Sequence, residues 1–467
     1  MYFSKKLITP MNAGIIILSS YLFIQLYLFG GMLYGDGLEY LSMIIAFCNH
    51  FSPELTANDI SQTMYLSGIT NWNLVGFFAD FAGNLYSYHF FLYSLLGMVV
   101  YIPMNILELD IKYIFLVLNY IIMLFSICYM NYCSELPIRK KYLVIFMFVV
   151  NPAILYLKWS HPEIMIYSFF YLSVLSLYER KLSRAALWAA FASLQASILA
   201  VVVFGCFFCV CRMYDIKEHF CKYILSGISC IIALIPYAFY YLHYGVFSLI
   251  SKCGAANIHN ISFLKIYSIF FDLNFGLIVY VPILLLVVVY KIYRKDQWSI
   301  CMGMMALILV IASSVQSNWN PGIDYIHRYA IWIMPTLVFP LLSLNFNKKS
   351  IWVILVYLCT TLPVIGYCTV VRDSCNYIKI QPLAKYAILV APSFYNPYKE
   401  ILVERAIGGE RGFEGRIIFE DSNHGVRKMM IVNQNECVYL NGEFKLYNLL
   451  NSANRHMNII IEPKENK

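Results

Sequence analysis

Charge is scarce in this sequence. Asp, Glu, Lys and Arg make up 13% of the 467 residues, whereas a soluble globular chain carries roughly 25%. Hydrophobic residues account for 60% of the chain, and they form long blocks instead of alternating with polar residues. This shortage of charge excludes a cytosolic enzyme, a disordered protein and a disulfide-stapled secreted module. The composition predicts a polytopic membrane protein.

The chain also has no cysteine spacing typical of a zinc site, although it contains 14 cysteines. Half of them lie within apolar runs, where cysteine behaves as a small hydrophobic residue: Cys206, Cys209, Cys211, Cys230, Cys301, Cys359 and Cys368. Disulfides between cysteines outside the runs stay an open question. The net charge of +8 does not predict a nucleic-acid partner, because the basic residues stand at the ends of apolar blocks.

Long apolar blocks are the main feature that is present. A spanning helix needs about 20 apolar residues. The clear candidates are 11–33, 111–132, 141–157, 163–178, 223–243, 275–291, 299–316, 329–345 and 351–371. The stretch 185–211 is predicted to be two short spans with a tight turn at Gln195. The first block has no convincing small-residue cleavage site, so an uncleaved anchor is favoured over a signal peptide.

The positive-inside rule decides the orientation. If the ambiguous block 86–107 lies in the outer interface, basic clusters fall on every second connection, including Arg139-Lys140-Lys141 and Lys348-Lys349. The loop 34–110 contains seven acidic residues and no lysine or arginine. The prediction is an all-α polytopic protein of the cytoplasmic (inner) membrane with about eleven spans, an intracellular amino terminus and an extracytoplasmic carboxyl terminus.

Two parts are predicted. Residues 1–371 form the transmembrane domain, whose large first extracytoplasmic loop, 34–110, carries interfacial helices. Residues 372–467 form a small extracytoplasmic domain containing β structure, because charge returns there together with short alternating runs and the Asn441-Gly442 turn signal.

Asp36 and Glu39 directly follow the first span. A carboxylate held near aromatic rings at the membrane surface could act as a general base, which makes Asp36 a candidate catalytic residue. The alternative is a helix cap, in which Asp36 caps the next helix and Glu39 completes a capping box.

The next outer turn reads Lys158-Trp159-Ser160-His161-Pro162-Glu163. Pro162 and Glu163 suit the start of a helix, since proline is favoured in the first turn and a carboxylate complements the positive helix end. A lysine, a histidine and a carboxylate at a membrane boundary nevertheless exceed the polarity that a turn requires. Lys158, His161 and Glu163 are therefore candidate site residues.

Three further outer segments carry polar candidates. Asp324, His327 and Arg328 share one face of a helical turn, and a lone outer arginine suits an anionic group such as a phosphate. The alternative is an interfacial arginine paired with Asp324. The remaining candidates are Asp272 and Asn274 before the eighth span and His89 in the first loop.

The order and sidedness of these motifs resemble the GT-C superfamily of integral-membrane glycosyltransferases, which includes protein O-mannosyltransferases and bacterial lipid A aminoarabinose transferases. The likeness covers roughly residues 10 to 345. It rests on Gly35-Asp36-Gly37-Leu38-Glu39-Tyr40, the loop helix near His89, Trp159-Ser160-His161-Pro162-Glu163, Phe271-Asp272-Leu273-Asn274-Phe275-Gly276 and His327-Arg328-Tyr329. Two positions depart from the family pattern, Gln195-Ala196 in the hairpin and Phe90-Phe91 after His89.

The resemblance implies an inverting enzyme that uses a polyprenyl-phosphate-linked sugar on the outer face of the membrane. Its acceptor would be a glycan, a lipid or a protein. By this resemblance Asp36 is the catalytic base, Glu163 the second acidic residue and Arg328 a ligand of the lipid phosphate. A divalent metal is compatible with the sequence but not required by it. The alternatives are a transporter or flippase of lipid-linked sugars and a polysaccharide polymerase or ligase.

Overall fold

The structure is a computed structural model. It describes residues 9–28, 30–31, 33, 35–319, 322, 326–342, 348–370, 378–410, 412–422, 425–433, 437–442 and 457–464, with only the backbone for 348–350. The fold is mostly helical, with 67% helix, and carries a small β-sheet near the carboxyl end. The helical character and the carboxyl-terminal β structure predicted from the sequence are thereby confirmed.

The amino-terminal part begins with one long apolar helix and continues into a folded first loop. Its elements are α1 (Pro10–Leu28), α2 (Gly37–His50), α3 (Ala57–Ser67), β1 (Phe77–Ala79), β2 (Leu85–Ser87) and α4 (Leu92–Ile106). Thr56 and Asp59 form a capping box that starts α3, and Gly68 ends it in the left-handed conformation that glycine adopts without strain. The two strands pair as an antiparallel hairpin, and α2 packs against α4.

The central part is a bundle of helices. These are α5 (Ile114–Cys133), α6 (Ile138–Val149), α7 (Glu163–Tyr178), α8 (Leu182–Ser193), α9 (Ala200–Met213), α10 (Phe220–Tyr244), α11 (Leu249–Lys252), α12 (Phe263–Phe271), α13 (Leu277–Tyr280), α14 (Pro282–Tyr293), α15 (Gln297–Ser313), α16 (Arg328–Leu342) and α17 (Lys348–Val370). The helix α7 is buried along nearly its whole length, between α5, α8 and α16. It therefore forms the centre of the core.

Four of the described helices are long and apolar enough to cross a membrane: Pro10–Leu28, Ile111–Cys133, Phe220–Tyr244 and Ile351–Val370. A fifth candidate is α6 followed by the 3-10 helix Pro152–Lys158, which are bent by 53° with respect to each other. Pro152 accounts for this break, because the residue before a proline is pushed out of the helical conformation, and Asn151 is extended with φ −147° and ψ 144°. These helices are consistent with a multi-pass membrane protein, while the count of eleven spans stays a prediction.

The structure places a helix break where the sequence predicted a turn between two short spans. The helix α8 ends at Ser193 and α9 begins at Ala200, so the break falls at Gln195, whose side-chain amide donates a hydrogen bond to the carbonyl of Phe90. The block 86–107 contains the end of β2 and the 15-residue α4, which is shorter than a typical span.

The carboxyl-terminal domain has its own small core. Its elements are α18 (Pro382–Val390), α19 (Lys399–Ile407), β3 (Gly415–Asp421), β4 (Gly425–Val432), β5 (Cys437–Asn441) and β6 (Met457–Pro463). The antiparallel sheet has the order β5-β4-β3-β6, and Ile417, Phe419 and Met430 pack with side chains of both helices. The sequence predicted the strands, but it did not predict α18 and α19.

Candidate functional site

Asp36 lies in the turn between α1 and α2, at the position that caps α2. Its backbone lies in the bridge region, with φ −73° and ψ 10°, and its side chain makes no capping hydrogen bond. Glu39 forms no capping box with it. The helix-cap alternative therefore does not describe how this carboxylate is used, and the side chain is available for partners elsewhere in the chain.

Two histidines from distant segments contact Asp36. The Nε2 atom of His89 lies 2.9 Å from Oδ2 of Asp36, and Nε2 of His161 lies 3.5 Å from the same oxygen. The carboxylate retains 26% of its exposure, whereas His161 retains only 5%. Asp36 is thus contacted from two sides and still keeps part of its carboxylate exposed.

The contact with the main chain of Asp36 determines the tautomer of His161. The backbone N–H of Asp36 donates to Nε2 of His161 at 3.2 Å, so this nitrogen acts as an acceptor and the ring proton is on Nδ1. Nδ1 lies 4.0 Å from Oε2 of Glu163. Burial lowers the pKa of His161 to about 3, more than the charge of Asp36 raises it, which agrees with a neutral ring.

Glycines allow the Asp36 turn to approach His161 this closely. Gly35 has φ +56°, and a Cβ atom there would lie 3.1 Å from Nε2 of His161. A Cβ atom on Gly37 would lie 2.6 Å from Oγ of Ser160. The ring of His161 is in turn stacked on Trp159 with 3.9 Å between the ring centroids. The positions of Asp36 and His161 therefore depend on each other.

His89 is positioned by the β1–β2 hairpin, which is attached to the end of α10. Nδ1 of His243 lies 2.8 Å from Oδ2 of Asp80, and the hydroxyl of Tyr240 donates to the carbonyl of Tyr88 at 2.9 Å. The backbone N–H of His89 donates to Oγ of Ser87 at 3.0 Å, and its ring stacks on Tyr40. The hairpin and α10 together thus hold the imidazole against Asp36.

Asp36 is ionised in this environment. Burial opposes its charged form, but the charge of His89, its hydrogen bond to the carboxylate and the guanidinium of Arg328 favour that form, and the pKa of Asp36 lies well below its usual range. Burial alone would lower the pKa of His89, but the charge of Asp36 and the hydrogen bond to it raise that pKa above its ordinary value. The two histidines thus differ: Asp36 favours the cationic form of His89, whereas His161 is a neutral acceptor for the backbone N–H of Asp36.

Glu39 has a different environment from Asp36, although both lie at the start of α2. Oγ of Ser87 donates to its Oε2 at 3.1 Å, and the carboxyl group lies so close to Gly76 that a Cβ atom there would be 2.4 Å from both carboxyl oxygens. Burial and the negative charge of Asp36 raise the pKa of Glu39 to about 8, against the opposing effect of His89. Glu39 is consequently protonated at neutral pH and supports the Asp36 turn.

Glu163 and Arg328 carry buried polar atoms that no described protein atom satisfies. Glu163 is 2% exposed, and its Oε2 atom has no hydrogen-bond partner among the described residues. The guanidinium of Arg328 donates through Nη2 to the hydroxyl of Tyr329 at 2.8 Å, while its buried Nε has no partner in the same part of the chain. Buried polar atoms of this kind are costly unless a water or another polar group satisfies them. We call the group Asp36, His89, His161, Glu163 and Arg328 the Asp36 site.

Asp272 and Asn274 lie elsewhere and connect the bundle to the carboxyl-terminal domain. Oδ1 of Asp272 accepts from the backbone N–H of Asn274 at 2.7 Å, and its Oδ2 accepts from the hydroxyl of Tyr395 at 2.9 Å. Oδ1 of Asn274 accepts from the backbone N–H of Gln381 at 2.9 Å. The structure thus joins both predicted substrate-binding residues to the tail and not to Asp36.

The other predicted residues have separate positions. His327 uses both ring nitrogens on the main chain, because Nε2 lies 2.5 Å from the carbonyl of Trp319 and Nδ1 accepts from the N–H of Tyr329 at 3.1 Å. Its ring therefore positions the residues around Arg328. Lys158 is buried in the 3-10 helix that precedes His161. Asp324 lies outside the described residues.

Sequence reasoning missed Ser87, Tyr40 and Tyr329 as members of the site region. The ring of Tyr40 stacks on His89 and meets the edge of His161, and the hydroxyl of Tyr329 accepts from Arg328. Tyr40 and Tyr329 stand next to charged residues within the motifs quoted above, which was the only available signal. Ser87 had none, since its role depends on a contact with Glu39 from another segment.

Within the part of the chain that the structure describes, no three His, Cys, Asp or Glu side chains are arranged to hold a metal ion. Comparison of the chain with family models, with curated proteins and with solved structures finds no match.

Proposed function

We propose that this protein is an inverting glycosyltransferase of the GT-C type in the cytoplasmic membrane of a bacterium. It uses a sugar carried on a polyprenyl phosphate and transfers it to a glycan, lipid or protein on the outer face. The proposal includes eleven spans, an intracellular amino terminus and an extracytoplasmic tail. The observation that supports it most is the meeting of an ionised carboxylate, a buried carboxyl group and an arginine from separate segments.

In the proposed reaction Asp36 accepts the proton of an acceptor hydroxyl. The hydroxyl oxygen forms a bond to the anomeric carbon while the bond from that carbon to the phosphate oxygen breaks. The electron pair of the broken bond leaves with the polyprenyl phosphate. Arg328 pairs with this phosphate, since a guanidinium binds phosphate oxygens through two hydrogen bonds. A preorganised donor of this kind is worth roughly 10²–10³ in rate.

The low pKa of Asp36 fits this reaction once the donor is bound. A carboxylate with a depressed pKa is ionised but weakly basic. Arg328 is one of the cations that lower the pKa of Asp36. A phosphate paired with Arg328 cancels part of that effect, and closure of the site removes water from the carboxylate. Donor binding therefore raises the basicity of Asp36 at the moment when a base is needed.

The decisive experiment uses the purified full-length protein in proteoliposomes with a labelled polyprenyl-phosphate sugar. Asp36→Asn is expected to lower transfer by about 10³-fold, because it removes the base, while donor binding persists. The matched control is Asp110→Asn in the same loop, where the carboxylate is half exposed and pairs with Lys112. Near-normal product from Asp36→Asn would overturn the proposal. Label that changes sides of the membrane without covalent transfer would establish the flippase alternative instead.

A further inference from the structure

A groove lies between α1, α6 and α17, at the end of the bundle where these three helices begin. Its volume is about 290 Å³. The side chains that matter for its chemistry are Ala13, Ile17, Leu143, Phe146, Ile354 and Arg139. Five of these six are apolar, and Arg139 is the charged one. The groove belongs to no part of the Asp36 site.

The floor of the groove results from the close approach of α1 to α6. A Cβ atom on Gly14 would lie 2.4 Å from Cγ2 of Ile145, so only a glycine permits this packing. Large apolar side chains beside the groove are exposed, such as Ile16 at 55% and Trp352 at 67%. Exposed apolar side chains on membrane helices are solvated by lipid, so the groove opens on a surface that acyl chains cover.

The charge at the groove favours an anion. Lys140 donates to the hydroxyl of Tyr178, and Lys141 donates to the carbonyl of Asn131 at 2.6 Å. Arg139 is exposed and forms no salt bridge with an acidic side chain in the part of the chain that is described. In the sequence, Lys5-Lys6 precedes α1, Lys348-Lys349 begins α17, and residues 1–10 and 343–350 contain no acidic residue.

We propose that the groove binds an anionic phospholipid, with one acyl chain between α1, α6 and α17 and the phosphate on Arg139. Basic pockets between membrane helices bind anionic headgroups, and each cation near the membrane surface contributes about 1 kcal/mol. Ala13 and Ile17 of α1 and Phe146 of α6 contact the acyl chain. This site works independently of sugar transfer and requires no residue of the Asp36 site.

The test is native mass spectrometry of the full-length protein released from detergent after incubation with palmitoyl-oleoyl-phosphatidylglycerol or with the phosphatidylcholine of the same acyl chains. The wild-type protein is expected to retain phosphatidylglycerol preferentially. Arg139→Ala is expected to lower that retention about five-fold by loss of one cation. Ala13→Phe fills the groove and lowers retention of phosphatidylglycerol while the charge is unchanged.

The matched control is Arg212→Ala, which removes an exposed arginine from the last turn of α9 and should retain lipid as the wild type does. Equal retention of both lipids by the wild type would overturn the proposal, as would unchanged retention by Arg139→Ala. A loss with Arg139→Ala but none with Ala13→Phe would show a lipid held at the surface by charge alone, and would overturn binding in the groove. Size-exclusion profiles and circular dichroism show that each variant is folded.

Discussion

The guanidinium group of Arg328 has one nitrogen with a hydrogen-bond partner and one without, as far as the described residues are concerned. Nη2 donates to Tyr329, and the guanidinium carbon lies 4.9 Å from the centroid of that ring, while Nε has no partner there. The tyrosine fixes the direction of the group and leaves donors for a ligand. Arginine is suited to this arrangement because its planar fork can bind a phosphate through two hydrogen bonds, which a lysine ammonium cannot do in the same geometry.

Arg328→Ala is therefore expected to raise the KM for the lipid-linked donor by about 10–100-fold, the value of one or two hydrogen bonds to a charged group. Arg328→Lys should recover part of the loss, since it restores the charge but not the fork. Initial rates over a range of donor concentrations measure both effects. A variant whose response to donor concentration equals that of the wild type would contradict the role of Arg328.

Glu39 gives a prediction about pH and stability. Its pKa is about 8 in the folded chain against an ordinary value of 4.5, so between these values the folded state binds a proton that the unfolded state has lost. The free energy of unfolding therefore decreases as the pH rises from about 4.5 to about 8. Glu39→Gln removes this penalty because the amide stays neutral.

We expect Glu39→Gln to raise the midpoint of thermal unfolding by a few degrees at pH 9 and to leave it nearly unchanged at pH 5. The midpoint is measured by tryptophan fluorescence in detergent. Glu108→Gln replaces an exposed carboxylate of the same loop and should have no effect at either pH. If Glu39→Gln shifts the midpoint equally at both pH values, the carboxyl group is not protonated in the folded protein.

The residues of the Asp36 site could be nominated from the sequence, but their roles could not be separated. The local sequence around Asp36 is compatible both with a helix cap and with a contact to His161, so it cannot distinguish the two roles. The difference depends on contacts with residues 89 and 161. Asp272 was a candidate residue of the site, but its carboxylate accepts a hydrogen bond from Tyr395 of the tail. No local sequence pattern predicts that partner.

At the scale of elements, the turn before α2 is determined by how closely it packs on the turn before α7. Gly37 is the point of contact, because a Cβ atom there would lie 2.6 Å from Oγ and 2.9 Å from Cβ of Ser160. Gly37→Ala is expected to cost about 1–3 kcal/mol through this overlap. The cost should be smaller when Ser160→Gly is already present, because the overlapping atoms are gone.

A double-mutant cycle with thermal unfolding measures this coupling. Gly227→Ala is the control, since a Cβ atom at that position in α10 meets no neighbouring atom within 4 Å. Equal costs of Gly37→Ala with and without Ser160→Gly would show that the two turns are not coupled in this way.

The sequence predicted the helix break at Gln195, where polar residues interrupt an apolar block. The predicted span 141–157 runs through Asn151-Pro152, where the structure has a second break caused by the proline. Lengths depend on packing. The apolar helices α14 and α16 have 12 and 15 residues, and both are shorter than the predicted spans 275–291 and 329–345 that they overlap.

At the scale of the whole molecule, the carboxyl-terminal domain is docked onto the bundle through buried polar contacts. The hydroxyl of Tyr395 donates to Asp272 and lies 2.5 Å from Nδ2 of Asn274, and Oε1 of Glu400 accepts from the backbone N–H of Trp319. Burial raises the pKa of Asp272, because it disfavours the charged carboxylate. The hydrogen bonds to this carboxyl group oppose that effect and offset part of the cost of burying it. The tail is thus part of the folded unit.

Tyr395→Phe should lower the free energy of unfolding by about 1–3 kcal/mol, because it leaves a buried carboxyl oxygen unsatisfied. It should also speed the release of the tail in limited proteolysis. Tyr386→Phe in α18 is the matched control, since it removes a half-buried hydroxyl from the same domain. Identical stability and proteolysis for both variants would show that the Tyr395 contact does not hold the domain in place.

The general architecture followed from composition, because hydrophobic blocks and ordinary charge density distinguish a membrane part from a polar tail. The attachment of the tail to the bundle did not follow from composition. It rests on single contacts between residues 272–274 and 381–395, which are far apart in sequence. The helices of the tail were missed as well. Lys399–Ile407 mixes charged and apolar residues and contains no long apolar run.

The dependence of Asp36 on His161 and Arg328 has a consequence for biosynthesis. During translation the first span and its acidic turn enter the membrane long before residue 328 leaves the ribosome. Until then the carboxylate lacks the neutral imidazole at its backbone and the cation that belongs to the same site. A partly inserted chain therefore carries no assembled Asp36 site, and the transfer proposed above requires that α7 and α16 have first packed together.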